Sequence, residues 1–321
     1  MKKIALLKIG ALGDVLMTTP LVRQLRRALP QTSIDYLVGQ ASGAILEGNP
    51  HISRLVRFDE SILYRRKIAR LGSLVRLLRG YDAILVLDKH WIFALLARLA
   101  GVPVRIGFAR RPLDAMFLTR TVPYGPVKHE IAYYLALGEA LGLPIDGADV
   151  AMELPPSDPC PMEQPYTVLV NGGGANANEQ STVRRMPESL FSDLVSACRA
   201  RGKVVFLGGK DEARYYDRFA GERTVNLCGR TSLREAWDLL RHAQSVFSTD
   251  TGLMHMAGAL NPNLTAIFGP THPGRKCPPG AGWVWTDQDL YDDRYELYGE
   301  VPERQFFRKM SIENIMRPTK A

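Results

Sequence analysis

The stretch IALLKIGALGDVLMTTPLVRQLRRALP, residues 4–30, decides the fold. An apolar run comes first. Gly10 and Gly13 then stand near an aspartate, Asp14, and a segment follows in which Leu21, Val22, Leu25, Ala28 and Leu29 recur at helical spacing. A short strand that is apolar on both faces, followed at once by a helix, opens a βαβ unit with a buried parallel strand. Glycine serves the backbone of the turn between them. Asp14 is not needed for that turn. It is expected in the loop at the carboxyl end of the strand, where open α/β sheets bind their ligands.

The same alternation runs along the chain. SIDYLVG (33–39) and YDAILVLD (81–88) read as strands, and KIARLGSLVRLLRG (67–80) and WIFALLARLAG (91–101) as helices. At 155–165 the composition changes to PPSDPCPMEQP, whose five prolines forbid helix and central strand. The pattern then restarts with strands YTVLVN (166–171), KVVFLGG (203–209), SVFSTD (245–250) and LTAIFG (264–269). Helical segments PESLFSDLVSACRARG (187–202), SLREAWDLLRHA (232–243) and GLMHMAGAL (252–260) alternate with them. The reading is two Rossmann-like doubly wound α/β domains, 1–155 and 166–300, joined by a Pro-rich linker at 156–165 and facing a cleft. A helical tail is expected at 301–321.

Composition narrows the function. The 321 residues are 46% hydrophobic, which fits a globular protein. No apolar run reaches the roughly 20 residues that span a bilayer. Lys8 and Asp14 interrupt the N-terminal apolar run, so it reads as a first strand of a cytoplasmic protein and not as a signal peptide. Cys160, Cys198, Cys228 and Cys277 are far apart and form no CxxC pair, which argues against a zinc site or a disulfide framework. The six histidines form no HExxH. Asp287-Gln288-Asp289 is the kind of DxD match that 18 aspartates produce by chance, so no metal is expected. Residues 1–150 hold 21 Lys and Arg against 12 Asp and Glu, while the remainder is balanced at 20 against 21. The excess of +9 in the N-terminal half suits an anionic partner. No nucleic-acid reader module is present, and none is expected as a function.

Three loops of the second half lie at strand carboxyl ends. In VNGGGANANEQSTVRRMP (170–187), glycines such as Gly173 let backbone N–H groups approach a phosphate. Arg184 and Arg185 precede Pro187, read as the first helical residue, and two guanidinium groups there make a diphosphate clamp. In FLGGKDEARYYDRF, Glu212 is placed either to accept ribose hydroxyls or as an ordinary acid at a helix start. In FSTDTGLMHMAGAL (247–260), Asp250 or Thr251 caps a helix that begins at Gly252. Such a terminus holds anions, and His255, one turn later, either faces the same site or packs. No P-loop and no GxGxxG occurs.

Together IGALGDVLMTTPLVRQLRRALP, STDTGLMHMAGAL and FGPTHPGRKCPPG, in this order and spacing, resemble the ADP-heptose:lipopolysaccharide heptosyltransferase family, glycosyltransferase family 9, which has the GT-B fold. The resemblance covers nearly the whole chain. It implies an inverting, metal-independent transfer of heptose from ADP-L-glycero-D-manno-heptose to the core of lipopolysaccharide. Asp14, in the loop with Gly13, is then the general base. Asp250, Thr251, Gly252 and His255 line the ADP site, with Glu212 at the position of a nucleotide-contacting glutamate. It also implies that the N-terminal domain binds the acceptor and the C-terminal domain the donor. A +9 acceptor domain fits an anionic glycolipid. Arg65, Arg66, Lys67, Arg70, Arg76 and Arg79, with apolar residues between, fit peripheral attachment to the inner leaflet or simply a solvated helix face.

The chain departs from the family in two places. Arg184-Arg185-Met186-Pro187 stands where the family has lysine, one residue, tryptophan and proline, so a planar fork replaces a point charge. Asp88-Lys89-His90-Trp91 stands where small polar residues are usual, on the acceptor side. These departures raise two other readings: a heptosyltransferase acting on a protein or another glycan, and a nucleotide-binding paralogue without transfer activity.

Overall fold

The computed structural model describes residues 1–59, 71–156, 162–172 and 182–320. Gly173, most of the basic cluster (Arg65, Arg66, Lys67 and Arg70) and Cys160 lie outside the described residues. The chain divides into two compact units, Met1–Pro155 and Pro156–Ala321.

In the first unit, β1 (Lys3–Lys8), β2 (Ser33–Gly39), β3 (Arg54–Phe58), β4 (Ala83–Val86), β5 (Val104–Ala109) and β6 (Arg120–Pro123) form one sheet in the order β3-β2-β1-β4-β5-β6. Every pairing is parallel. The order reverses between β1 and β4, whose register pairs Leu7 with Val86. The loops leaving those two strands therefore flank the topological switch point, the ligand position of doubly wound sheets. Ile4, Leu6, Leu7, Ile84 and Leu85 are buried, as central parallel strands require.

One local expectation fails. Residues 9–20 read as a loop, yet Leu12–Leu16 form a short helix and Asp14 lies in its first turn. Val15 and Leu16 are fully buried, and the Val15 N–H donates to the Ala11 carbonyl at 2.9 Å, a helical bond four residues back. The helix Thr19–Ala28 follows with Pro20 in its first turn. The strands β3, β5 and β6 and the helix Glu130–Leu141 were not legible. In β3 two arginines are exposed at the sheet edge, so the apolar run that marks a central strand is broken.

In the second unit, β7 (Tyr166–Val170), β8 (Lys203–Phe206), β9 (Thr224–Asn226), β10 (Ser245–Thr249), β11 (Leu264–Phe268), β12 (Gly282–Trp285) and β13 (Thr319–Lys320) follow the order β13-β12-β11-β10-β7-β8-β9. Its first six strands repeat the topology of the first unit, with the reversal between β7 and β10. Only β13 runs antiparallel, against β12. The tail carries the helix Ile312–Met316, and Phe306, Phe307, Met310 and Ile315 join the core around Phe191, Phe206 and Tyr216. Of the DxD pair, Asp287 accepts the Phe307 N–H at 2.6 Å and so anchors the tail, while Asp289 pairs with exposed Lys309. Cys198, Cys228 and Cys277 are buried free thiols, pushed up to about 11, about 12 and about 12 by desolvation.

Gly258, inside the helix Gly252–Leu260, is set by packing. A Cβ there would stand 2.1 Å from Cβ of Pro278, a rigid ring that cannot rotate away. An exposed Gly→Ala change in a helix gains up to about 1 kcal/mol. Gly258→Ala is expected to cost about 1–3 kcal/mol through overpacking. Chemical denaturation of variant and parent measures the sign.

Candidate functional site

In the second unit the loops leaving β7, β8 and β10 converge. Thr249 Oγ1 donates to the Gly172 carbonyl at 2.9 Å, tying the end of β10 to the turn after β7. A Cβ on Gly172 would lie 3.0 Å from Glu212 Oε1 and 3.1 Å from Thr251 Cγ2, so glycine is what lets these three loops meet. Thr251, not Asp250, caps the helix Gly252–Leu260, its hydroxyl accepting the Met254 N–H at 3.3 Å. Asp250 is thereby left to face Arg184 and His255. Arg184 Nη1 is 3.6 Å from its Oδ2 and His255 Nε2 is 3.7 Å from its Oδ1. Burial alone would raise this carboxyl. Arg184, His255 and Lys276 outweigh it and hold Asp250 well below the usual carboxylate range.

His255 is buried, and its Nδ1 has no hydrogen-bond partner among the described residues. A buried polar atom of this kind is satisfied when a polar ligand arrives. Arg184 Nε donates to the Tyr295 hydroxyl at 2.7 Å, and its guanidinium lies 5.4 Å from that ring's centre. Arg185 donates through Nε to the Asn171 carbonyl at 3.1 Å, pairs with Glu212 Oε1 at 3.2 Å and stacks 4.5 Å over Tyr215. Glu212 also accepts the Gly209 N–H at 2.9 Å. Glu212 thus serves the helix start and at the same time pairs with Arg185.

The two arginines are fixed by different partners before any ligand is considered, and each presents a planar, multi-donor cation at a strand end. Pro187, expected as the first helical residue, is instead the N-cap of the helix Glu188–Arg201. Met186 is buried in the core with Phe191 and Leu194. Sequence reasoning missed Tyr295, Asn171 and Tyr215, which orient the arginines. Asn171 alone carried a signal, a polar residue directly after the apolar run YTVLV.

In the first unit the corresponding position at β1 and β4 holds Lys8, Asp14 and Asp88. Lys8 is 4% exposed, and its ammonium lies 3.0 Å from Asp88 Oδ1 and 3.7 Å from Asp14 Oδ2. Asp88 Oδ2 accepts the Ile9 N–H at 2.6 Å. Gly13 is buried inside the short helix, where its carbonyl accepts the Met17 N–H, so it shapes the backbone that carries Asp14. The neighbouring Lys89 turns inward to Glu130 at 2.9 Å and to the Tyr124 hydroxyl at 2.7 Å. Among the described residues no group of three or more His, Cys, Asp or Glu is placed to hold a metal ion, and no helix is long and apolar enough to cross a membrane.

Comparison with known proteins gives the family. The sequence matches glycosyltransferase family 9 (heptosyltransferase) over residues 71–284, two thirds of the chain. Lipopolysaccharide heptosyltransferase 3 of Escherichia coli is 29% identical over 288 residues, covering 81% of each chain. Among solved structures, a family 9 glycosyltransferase from Veillonella parvula superposes with a TM-score of 0.82 at 19% identity, over 99% of this chain and 96% of that one. The Escherichia coli ADP-heptose lps heptosyltransferase II superposes with a TM-score of 0.70 at 23% identity, over 91% and 92%. Two doubly wound sheets of matching topology and a family match of this extent have one reading: the chain belongs to glycosyltransferase family 9, the heptosyltransferases, and is a glycosyltransferase of the GT-B fold.

Proposed function

We propose that this enzyme transfers heptose from ADP-L-glycero-D-manno-heptose to the core of lipopolysaccharide, with inversion and without a metal, using Asp14 as general base. The observation that carries the donor half is the set of half-buried Arg184 with buried Asp250 and His255, beside Gly172 and the N-terminus of the helix Gly252–Leu260. Guanidinium groups, a helix N-terminus and close backbone approach are the means by which proteins hold a diphosphate. Thr251, Gly252, Arg185 and Glu212 complete the donor set.

In this reaction Asp14 takes the proton of the acceptor hydroxyl as that oxygen attacks the anomeric carbon. The bond from that carbon to the diphosphate oxygen breaks, and ADP leaves with the electron pair. Fixed cations at the diphosphate stabilise the charge that develops, which is work a metal does elsewhere. The +9 balance of residues 1–150 supports an anionic glycolipid acceptor reached at the inner leaflet of the plasma membrane, with the enzyme cytoplasmic and peripheral.

A thermal-shift panel tests the donor. ADP is expected to raise the melting temperature, equally with and without magnesium, because a ligand that binds only the folded state stabilises it by mass action. UDP, GDP and CMP are expected to do so far less. A shift with UDP or GDP alone overturns the heptose donor, and no shift with any nucleotide favours a non-catalytic paralogue. ADP-heptose turnover against a panel of core glycolipids, peptides and other glycans then decides the acceptor. Transfer to peptide alone replaces the lipopolysaccharide reading.

A further inference from the structure

Lys8 is a buried charge at the end of the central strand of the first sheet, and two carboxylates share it. It holds Asp88 at 3.0 Å, within hydrogen-bond length, and Asp14 only at 3.7 Å. Asp88 is itself fixed by the Ile9 N–H. The two acids come from the loops leaving β1 and β4, so the switch point of the sheet brings them to one ammonium. Asp88 belongs to the stretch Asp88-Lys89-His90-Trp91, which the transfer reaction leaves without a role.

We propose that Asp88 is a positioning residue for Asp14: it takes the hydrogen bond of Lys8 and so preserves the basicity of Asp14. The inference rests on the reading of Asp14 as the base. An ammonium beside a single carboxylate stabilises its charged form and weakens it as a base. A second carboxylate on the same ammonium takes part of its charge and adds its own negative charge beside Asp14, which favours the acceptor proton there. The proton goes to Asp14, and no other group changes state.

The other titratable groups facing the pair are Tyr36 on β2 and Tyr134 on the helix Glu130–Leu141. Burial raises both phenols, and the charges of Asp14 and Asp88 raise them further, so both stay neutral. His90, at the start of the helix Trp91–Leu99, feels Asp88, but its imidazole is lowered first by burial and then by Arg110. Glu130 and Tyr124 also lie near Tyr134, with Lys89 paired to Glu130.

The test is the pH profile of kcat/KM for ADP-heptose and acceptor in the parent, Asp88→Asn, Asp88→Glu, Lys8→Met and Asp14→Asn. Asp88→Asn leaves Asp14 as the carboxylate facing Lys8. Its acid limb is expected about one unit lower, with a plateau reduced severalfold and the KM for ADP-heptose unchanged. Lys8→Met leaves two facing carboxylates, and its limb is expected about one unit higher. Asp88→Glu, which keeps the charge, restores the parent limb. Variants that lower the rate equally at every pH, with the limb in place, overturn the proposal. If Asp88→Asn does not fold, Asp88→Ser, whose hydroxyl can still accept the Ile9 N–H, takes its place: a lowered limb supports the proposal and an unmoved limb overturns it. Asp14→Asn separates the two claims. Turnover in that variant removes the base itself, whereas an inactive Asp14→Asn with an unmoved limb in Asp88→Asn removes only the positioning role.

Discussion

Asp14→Asn is expected to reduce heptosyl transfer by about 10²–10⁴-fold while the protein folds and binds ADP as the parent does. The amide matches the carboxylate in shape but cannot accept the acceptor proton. The short helix Leu12–Leu16 buries Val15 and Leu16, while the Asp14 side chain is a quarter exposed. Lys8 keeps Asp88 as its hydrogen-bonded partner, so no charge is stranded. The proposed donor residues Arg184, Glu212 and Asp250 belong to the second unit, and the ADP-induced thermal shift is expected to stay within experimental error of the parent. Single-turnover transfer with saturating donor reads the chemical step directly. Turnover within about threefold of the parent sinks the base assignment, and loss of the ADP shift means the substitution acts on the fold.

The sequence carried the architecture because central parallel strands must be apolar on both faces. KIALLK, SIDYLVG and SVFST announce themselves, and the glycines and acids that follow them mark the carboxyl ends where ligands bind. What it hid were elements whose residues answer to solvent, such as β3 with exposed Arg54 and Arg57 at the sheet edge, and contacts that cross the chain. Tyr295 reaches Arg184 from 111 residues away, and no spacing rule connects them. Lys8 is the most informative residue whose signal went unread. A lysine closing a run of buried apolar residues points to a carboxylate, since a buried ammonium needs one. The break that Lys8 makes in the first apolar run therefore calls for a carboxylate, and Asp88 supplies it at 3.0 Å.

Asp250→Asn is expected to lower stability at pH 7 by about 3 kcal/mol, or about 6–12 °C in melting temperature for a unit of this size. Asp250 is 4% exposed, and the change removes the carboxylate charge that lies 3.6 Å from the guanidinium of Arg184. The sign of the pH dependence follows from the direction of the shift. Although burial opposes it, the carboxyl is held well below its unfolded value of about 3.9 by Arg184, His255 and Lys276. A depressed folded pKa contributes stability that is complete above the unfolded pKa and is lost as pH falls through the folded one. The gap between parent and variant is therefore present at pH 7 and narrows progressively below about 4 as the parent loses its advantage. Thermal or urea unfolding across that range measures it. A gap that persists unchanged at about pH 3 means the carboxylate's charge is not what stabilises the site, and that the amide fails there for reasons of packing. A gap that closes on schedule has a consequence for catalysis: Asp250 is ionised whenever the enzyme works, so it acts as the counter-ion that keeps Arg184 in place and not as an acid that could protonate the departing diphosphate.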